Sequence, residues 1–173
     1  MNWKKKNKMW TVIKFDRKNF NYLKYELKKN FGDNCTLYRP KLLVQHFKKN
    51  KLVDRELDLL GDYVFCYYQG FEKKNILTKL KFVKGLKYFL DGFQLFQKDI
   101  ISFIDRCKKF ENEKGFISQD FFKIDKFSKY KFSSGPFVGK IFQIIDLQKI
   151  KIKILIGKTN TLISKKGLLF KPI

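Results

Sequence analysis

Alanine is absent from the 173 residues, histidine occurs once, at His46, and proline occurs three times. A single histidine excludes His-clustered metal sites and leaves no Ser-His-Asp or Cys-His set with a spacing rationale. Cysteine is equally thin. Cys35, Cys66 and Cys107 are odd in number, far apart and without CxxC spacing, so neither a disulfide framework nor a zinc site is legible and a reducing compartment is expected. Long apolar runs are missing too. The basic start (Lys4, Lys5, Lys6, Lys8) is followed by an apolar stretch broken at Lys14 and Asp16, too short for a signal peptide, and no later stretch approaches a membrane span. The expectation is a cytoplasmic protein with no membrane partner. Acidic residues are scarce, 16 Asp and Glu against 39 Lys and Arg, giving a formal charge of +23 and a pI near 9.9. That balance points to a polyanionic neighbour, nucleic acid first. AT-rich coding would also enrich Lys, Asn, Ile and Phe and remove Ala; it does not explain the shortage of Asp and Glu.

What is present is a folding composition. The chain is 44% hydrophobic and 17% aromatic, too rich in core-formers for a disordered tail, and long enough for a domain plus a small module or two small domains. The organising stretch is Leu59 to Tyr68, a turn at Gly61-Asp62 running into β-branched and aromatic residues. Alternation puts Tyr63, Phe65 and Tyr67 on one face and Val64, Cys66 and Tyr68 on the other. Both faces are apolar, as in a central strand with cover on each side: one face is expected to meet the protein's own helices, and the other either more of its own chain or a partner.

Residues 1–8 read as a solvated basic tail. Met9 to Phe15 reads as a strand, and Asp16 as the cap of a helix on which Phe20, Leu23, Leu27 and Phe31 recur until Gly32. Cys35 to Tyr38 is a second strand, stopped by Pro40. Leu42 to Phe47 and Lys51 to Leu59 form hairpin arms with a basic tip at Lys48, Lys49 and Asn50. After the central strand come a helix from about 72 to 82, a strand over Leu86 to Leu90, and a helix over Gln97 to Phe110. Residues 111–126 lack periodicity and read as a linker. From 127 the character changes to short strands and turns, with Asp146 the only acidic residue, and Lys149 to Ile154 alternating strictly between lysine and isoleucine. That pattern predicts a small β-barrel with a basic face.

Catalytic motifs do not assemble. Gly157-Lys158-Thr159 resembles the end of a phosphate loop, but Ile152 stands where the loop needs glycine. Asp54, Glu56, Asp58 and Asp62 read as a surface offsetting nearby lysines rather than an acid/base pair. No enzyme and no cofactor is expected. The sharpest local signal is Ser134-Gly135-Pro136-Phe137-Val138-Gly139, a tight loop that lets backbone approach a partner.

In order along the chain, six short segments resemble the NusG family of transcription elongation factors, in particular specialised RfaH-like paralogues. They are Trp10-Thr11-Val12, Tyr38-Arg39-Pro40-Lys41, Leu60-Gly61-Asp62-Tyr63-Val64-Phe65, Val83-Lys84-Gly85-Leu86, Ser134 to Gly139 (similar to a KOW loop), and Gly157 to Thr161. The resemblance implies an α+β fold: an N-terminal antiparallel sheet with packed helices over 9–110, a linker over 111–126, and a KOW-like β-barrel over 127–173. It also implies a monomer that binds the clamp helices of the largest RNA polymerase subunit, with Tyr63, Phe65 and Phe89 docking and Arg39, Pro40 and Lys84 flanking. The gate-loop contact carries a departure: the family's His-Thr-Thr-Thr patch is replaced by Ile76-Leu77-Thr78-Lys79. The barrel, through Gly135, Pro136, Phe137, Gly139, Ile156 and Lys158, implies Rho or a small-subunit ribosomal protein as partner. Lys48, Lys49, Lys149, Lys151 and Lys153 are the candidates for nucleic acid. The expected function is pausing or termination control, by antitermination or otherwise; the alternative is a KOW-type RNA-binding protein of the ribosome. A nucleic-acid enzyme such as a nuclease ranks below both.

Overall fold

The structure, a computed structural model, describes residues 9–173, so the basic tail over 1–8 lies outside the described residues. Contacts divide the chain into two compact units. Unit 1 takes residues up to Arg39 and Asp58–Asp105; unit 2 takes Pro40–Leu57 and Arg106–Ile173. Unit 1 combines helices with an antiparallel sheet, and unit 2 is mainly antiparallel sheet with a 3-10 turn at Gln119–Phe121.

Unit 1 is built on strands β1 (Trp10–Phe15), β2 (Thr36–Tyr38), β5 (Tyr63–Tyr67) and β6 (Leu86–Phe89), in the order β2-β5-β1-β6. Asp16 does cap, but it caps a 3-10 turn at Arg17–Asn19 that feeds α1 (Phe20–Phe31), with its carboxylate accepting from the Lys18 amide at 3.1 Å. Leu23 and Leu27, one turn apart on α1, are fully buried, each worth ~1.5–3 kcal/mol of transfer free energy. They pack with Leu80 of α2 (Lys74–Leu80) against Ile13, Phe15, Val64 and Cys66, one face of the sheet. The other face carries Trp10, Val12 and Phe65 and is covered by Ile104, with Ile100, Ile101 and Phe103, of α3 (Gln97–Lys109). The doubly apolar central strand thus has cover on both sides. Gly85, just before β6, has φ +93°, and a Cβ there would stand 2.6 Å from the Asn19 carbonyl oxygen. Only glycine lets the chain pass that close to the start of α1.

Unit 2 contains the hairpin of β3 (Lys41–Lys48) and β4 (Lys51–Asp58, its last residue grouped with unit 1) and a five-stranded antiparallel sheet. The hairpin tip has Lys49 and Asn50 at φ 50° and 61°, the left-handed pair of a two-residue hairpin turn. The sheet runs β10-β9-β8-β7-β11, with β7 Lys129–Phe132, β8 Ile141–Leu147, β9 Lys151–Ile156, β10 Thr159–Ser164 and β11 Phe170–Pro172. The expected closed barrel is not what forms. The sheet is open, with β10 and β11 as its edges, because β11 is three residues long and ends in Pro172, which has no N–H to donate. Its core gathers Tyr130, Phe132, Phe142, Ile144, Ile152, Ile154 and Phe170. Residues 111–126, read as a linker, are packed in this unit: Ile117 and Gln119 are buried, and the Gln119 side chain accepts from the Phe170 amide at 2.8 Å.

Candidate binding surfaces

In unit 1 the antiparallel register decides which aromatics are open. Lys14 of β1 stands opposite Tyr63 on one side and Tyr88 on the other, so all three side chains share the face that α3 partly covers. The Tyr63 and Tyr88 hydroxyls lie 3.0 Å apart, and that bond holds the Tyr88 phenol above its ordinary pKa. The Lys14 ammonium sits 4.3 Å from the Tyr63 ring centre and 3.7 Å from the Asp62 carboxylate. Tyr88 is 47% exposed and Leu90, two residues on, 44%. The result is an aromatic patch at the sheet edge, open to solvent and flanked by Lys14.

The residues implied for polymerase docking do not all meet there. Phe65 is buried beneath α3, its ring 5.8 Å from that of Phe103. Phe89 stands opposite Ile13 and therefore faces the other side of the sheet, edge-on to Phe71 at 6.0 Å. Arg39 is paired with Asp58 and stacked on Phe20 and Phe15, at 4.3 and 5.0 Å. Pro40 is buried at the start of unit 2's hairpin. Lys84 is exposed, its ammonium 5.6 Å from the Tyr22 ring centre. Tyr88 was missed in the sequence because Leu86 to Leu90 alternates ambiguously, and a one-residue shift exchanges Phe89 for Tyr88 on the docking side.

In unit 2 the lysines of β9 project from the exposed face while Ile152 and Ile154 fill the core. Lys153 has Asp146 opposite it, whose carboxyl is held below the ordinary aspartate range chiefly by its bond to Lys126 at 2.8 Å. Lys131 of β7 stands directly opposite Lys171 of β11. Like charges directly opposite each other on neighbouring strands repel, so this pair costs the sheet some stability. The Gly135 loop and the hairpin come together through Gln45. Its amide donates to the Ser133 carbonyl and its side-chain oxygen accepts from the Gly135 amide, each at 2.7 Å. Gly135, at φ +82°, would drive a Cβ to within 2.4 Å of Leu168. Phe137 is partly exposed against Phe132, and Pro136 and Gly139 are exposed. Lys48 and Lys49 stand exposed at the hairpin tip and Lys158 in the β9–β10 turn, while Ile156 packs against the core.

The carboxylates read as a charge-offsetting surface have basic or amide partners: Asp58 with Arg39, Asp62 with Arg17, Glu56 with Lys41 at 2.5 Å, and Asp54 with the Gln45 amide at 2.7 Å. Among the described residues no group of three or more His, Cys, Asp or Glu gathers in a metal-holding cluster, and no helix is long and apolar enough to cross a membrane. Sequence spacing did not bring Cys35 and Cys66 together. Their sulfurs lie 3.5 Å apart; the hydrogen bond lowers the Cys35 thiol's pKa, and the same bond together with burial raises that of Cys66.

No protein-family model and no curated protein matches the chain. Among solved structures, an MjSpt4:Spt5 complex contains a chain 12% identical to this one, matched over 95% of this chain and 98% of that one with a TM-score of 0.33. Thermotoga maritima NusG, in a structure of its domain interaction, is 14% identical, with 94% and 93% of the chains covered and a TM-score of 0.38. At these values the likenesses assign no residue of this chain a role.

Proposed function

We propose that this protein is a non-enzymatic transcription elongation factor of the NusG/Spt5 kind, docking on RNA polymerase through unit 1 and meeting nucleic acid through unit 2. The supporting observation is positional. The six family-like segments fall, in chain order, at the start of β1, the end of β2, the approach to β5, the turn into β6, the β7–β8 loop and the β9–β10 turn. The docking surface we assign is the open aromatic patch of Tyr63, Tyr88 and Leu90, and its occupant is a helical, apolar element of polymerase such as the clamp helices. Binding that favours one of two polymerase states shifts their populations, and pausing changes with them. Control of pausing or termination at particular operons, and recruitment of Rho or a ribosomal protein by the Gly135 loop, are finer parts of the same proposal.

A second reading, an RNA-binding protein of the ribosome, is favoured by the lysine face of unit 2. Co-purification at moderate salt separates the two. Polymerase subunits retained by the wild type and lost from Tyr88→Ala/Leu90→Ser support the elongation factor. Ribosomal RNA retained without polymerase supports the alternative.

A further inference from the structure

A cavity of about 650 Å³ opens within unit 2, a size that suits a small organic ligand. Its lining includes Leu43 of β3, Phe116, Ile117 and Leu169, with Ile117 and Leu169 buried, so much of its wall is apolar, and Gln45, Asn112, Ser118, Gln119 and Ser134 add polar groups to it. Its mouth is basic. The Lys165 amide donates to the Ile150 carbonyl at 3.0 Å, which clamps the turn before β9 beside the turn after β10 and brings Lys149, Lys165 and Lys166 to one opening. None of these three lysines has an ion-pair partner among the described residues, and Asp120 is the one carboxylate residue of the lining. Three like charges held together repel each other, and an anion at the mouth relieves that repulsion.

A chamber with a mostly apolar wall and a few amide and hydroxyl groups, behind an ammonium trio, suits a ligand with a flat ring, polar groups on its edge and a phosphate. Inorganic phosphate would leave the chamber unused, and a neutral apolar ligand would leave the lysines unused. Beyond the mouth, Lys151 and Lys153 continue along the exposed face of β9, with side chains about 7 Å apart, close to the step between phosphates of an extended strand. We propose that unit 2 binds single-stranded nucleic acid here, with one unstacked base in the cavity, its phosphates on Lys149, Lys165 and Lys166, and the neighbouring backbone on Lys151 and Lys153. Duplex is disfavoured because a paired base reaches the cavity only at the cost of leaving its stack. Sequence preference is weak, since lysine–phosphate contacts carry no base information. This deepens the nucleic-acid half of the proposed function, and its test contains no polymerase, so either half fails without the other.

The test is fluorescence anisotropy of a labelled short oligouridylate against the full chain, beside a duplex of the same length and UMP as competitor. The single strand binds at least about tenfold tighter than the duplex. Lys149→Gln/Lys165→Gln/Lys166→Gln weakens binding at least about tenfold and lowers the steepness of the log affinity against log salt plot by about 2, as three phosphate contacts on a single strand require. Ile150→Glu, at an exposed rim position that leaves the fold intact, weakens it as well. Circular dichroism of each variant separates lost binding from lost folding. Lys28→Gln, in α1 of unit 1, binds as wild type. Equal affinity for duplex, unchanged binding by both mouth variants, or UMP binding as tightly as the oligonucleotide (a free-nucleotide site) overturns the proposal.

Discussion

Phe65 and Tyr88 show how differently two aromatics on one sheet face can be placed. Phe65 lies under α3 and Tyr88 is nearly half exposed. Phe65→Ala therefore empties a core and costs ~3–5 kcal/mol in urea denaturation, so any binding it loses is confounded with folding. Tyr88→Ala costs much less, and its loss of partner binding is interpretable. The same scale carries a pH prediction. Asp62 accepts from Arg17 and lies near Lys14, and these cations hold its carboxyl below the ordinary aspartate value of 3.8. A depressed carboxylate stabilises the fold above its unfolded pKa and ceases to do so as pH falls through the folded one. The urea midpoint of the wild type is thus level from neutral pH down to about 5 and declines below about 4, a decline that Asp62→Asn makes shallower. Because the carboxylate is solvent-accessible, the effect shrinks at high salt. A midpoint in Asp62→Asn with the wild-type acid slope contradicts the assignment.

At the scale of elements, β9 separates exposed lysines from buried isoleucines by side-chain parity. Ile154→Ala removes buried volume and destabilises by ~2–5 kcal/mol, whereas Lys153→Gln is close to neutral for stability and weakens nucleic-acid binding. Denaturation and anisotropy on the two variants check both halves, and a large stability loss in Lys153→Gln contradicts the parity. The strict Lys-Ile alternation made this strand legible in the sequence, and Leu23 and Leu27 made α1 legible by their spacing of four. Element β6 was legible as a strand but not in its facing, because Tyr88, Phe89 and Leu90 all accept either side. That choice is made by pairing with β1, and the bulge between Lys14 and Phe15 shifts the register there. Closure of the second sheet was also beyond the sequence: alternation predicts strands and their faces, but whether the first and last strands meet depends on edge length and hydrogen-bond supply. The packing of Ile117 and Gln119 had no periodic signal, because a 3-10 turn and isolated bridges impose none.

At the scale of the whole molecule, the chain carries a charge of +23 and divides into two units. The basic surface was legible from composition and alternation alone. The cavity behind it was not, since Leu43, Ile117, Lys149, Lys165 and Leu169 come from segments far apart in the chain. That Phe65 is buried was not legible, because cover by α3 is a tertiary event that no local pattern near Phe65 encodes. Pause lifetimes in single-round transcription with matched RNA polymerase test the central claim most directly. The account predicts that the wild type changes those lifetimes and that Tyr88→Ala/Leu90→Ser, folded as judged by circular dichroism, does not. Lifetimes unaltered by saturating wild-type protein, or altered equally by that variant, contradict it.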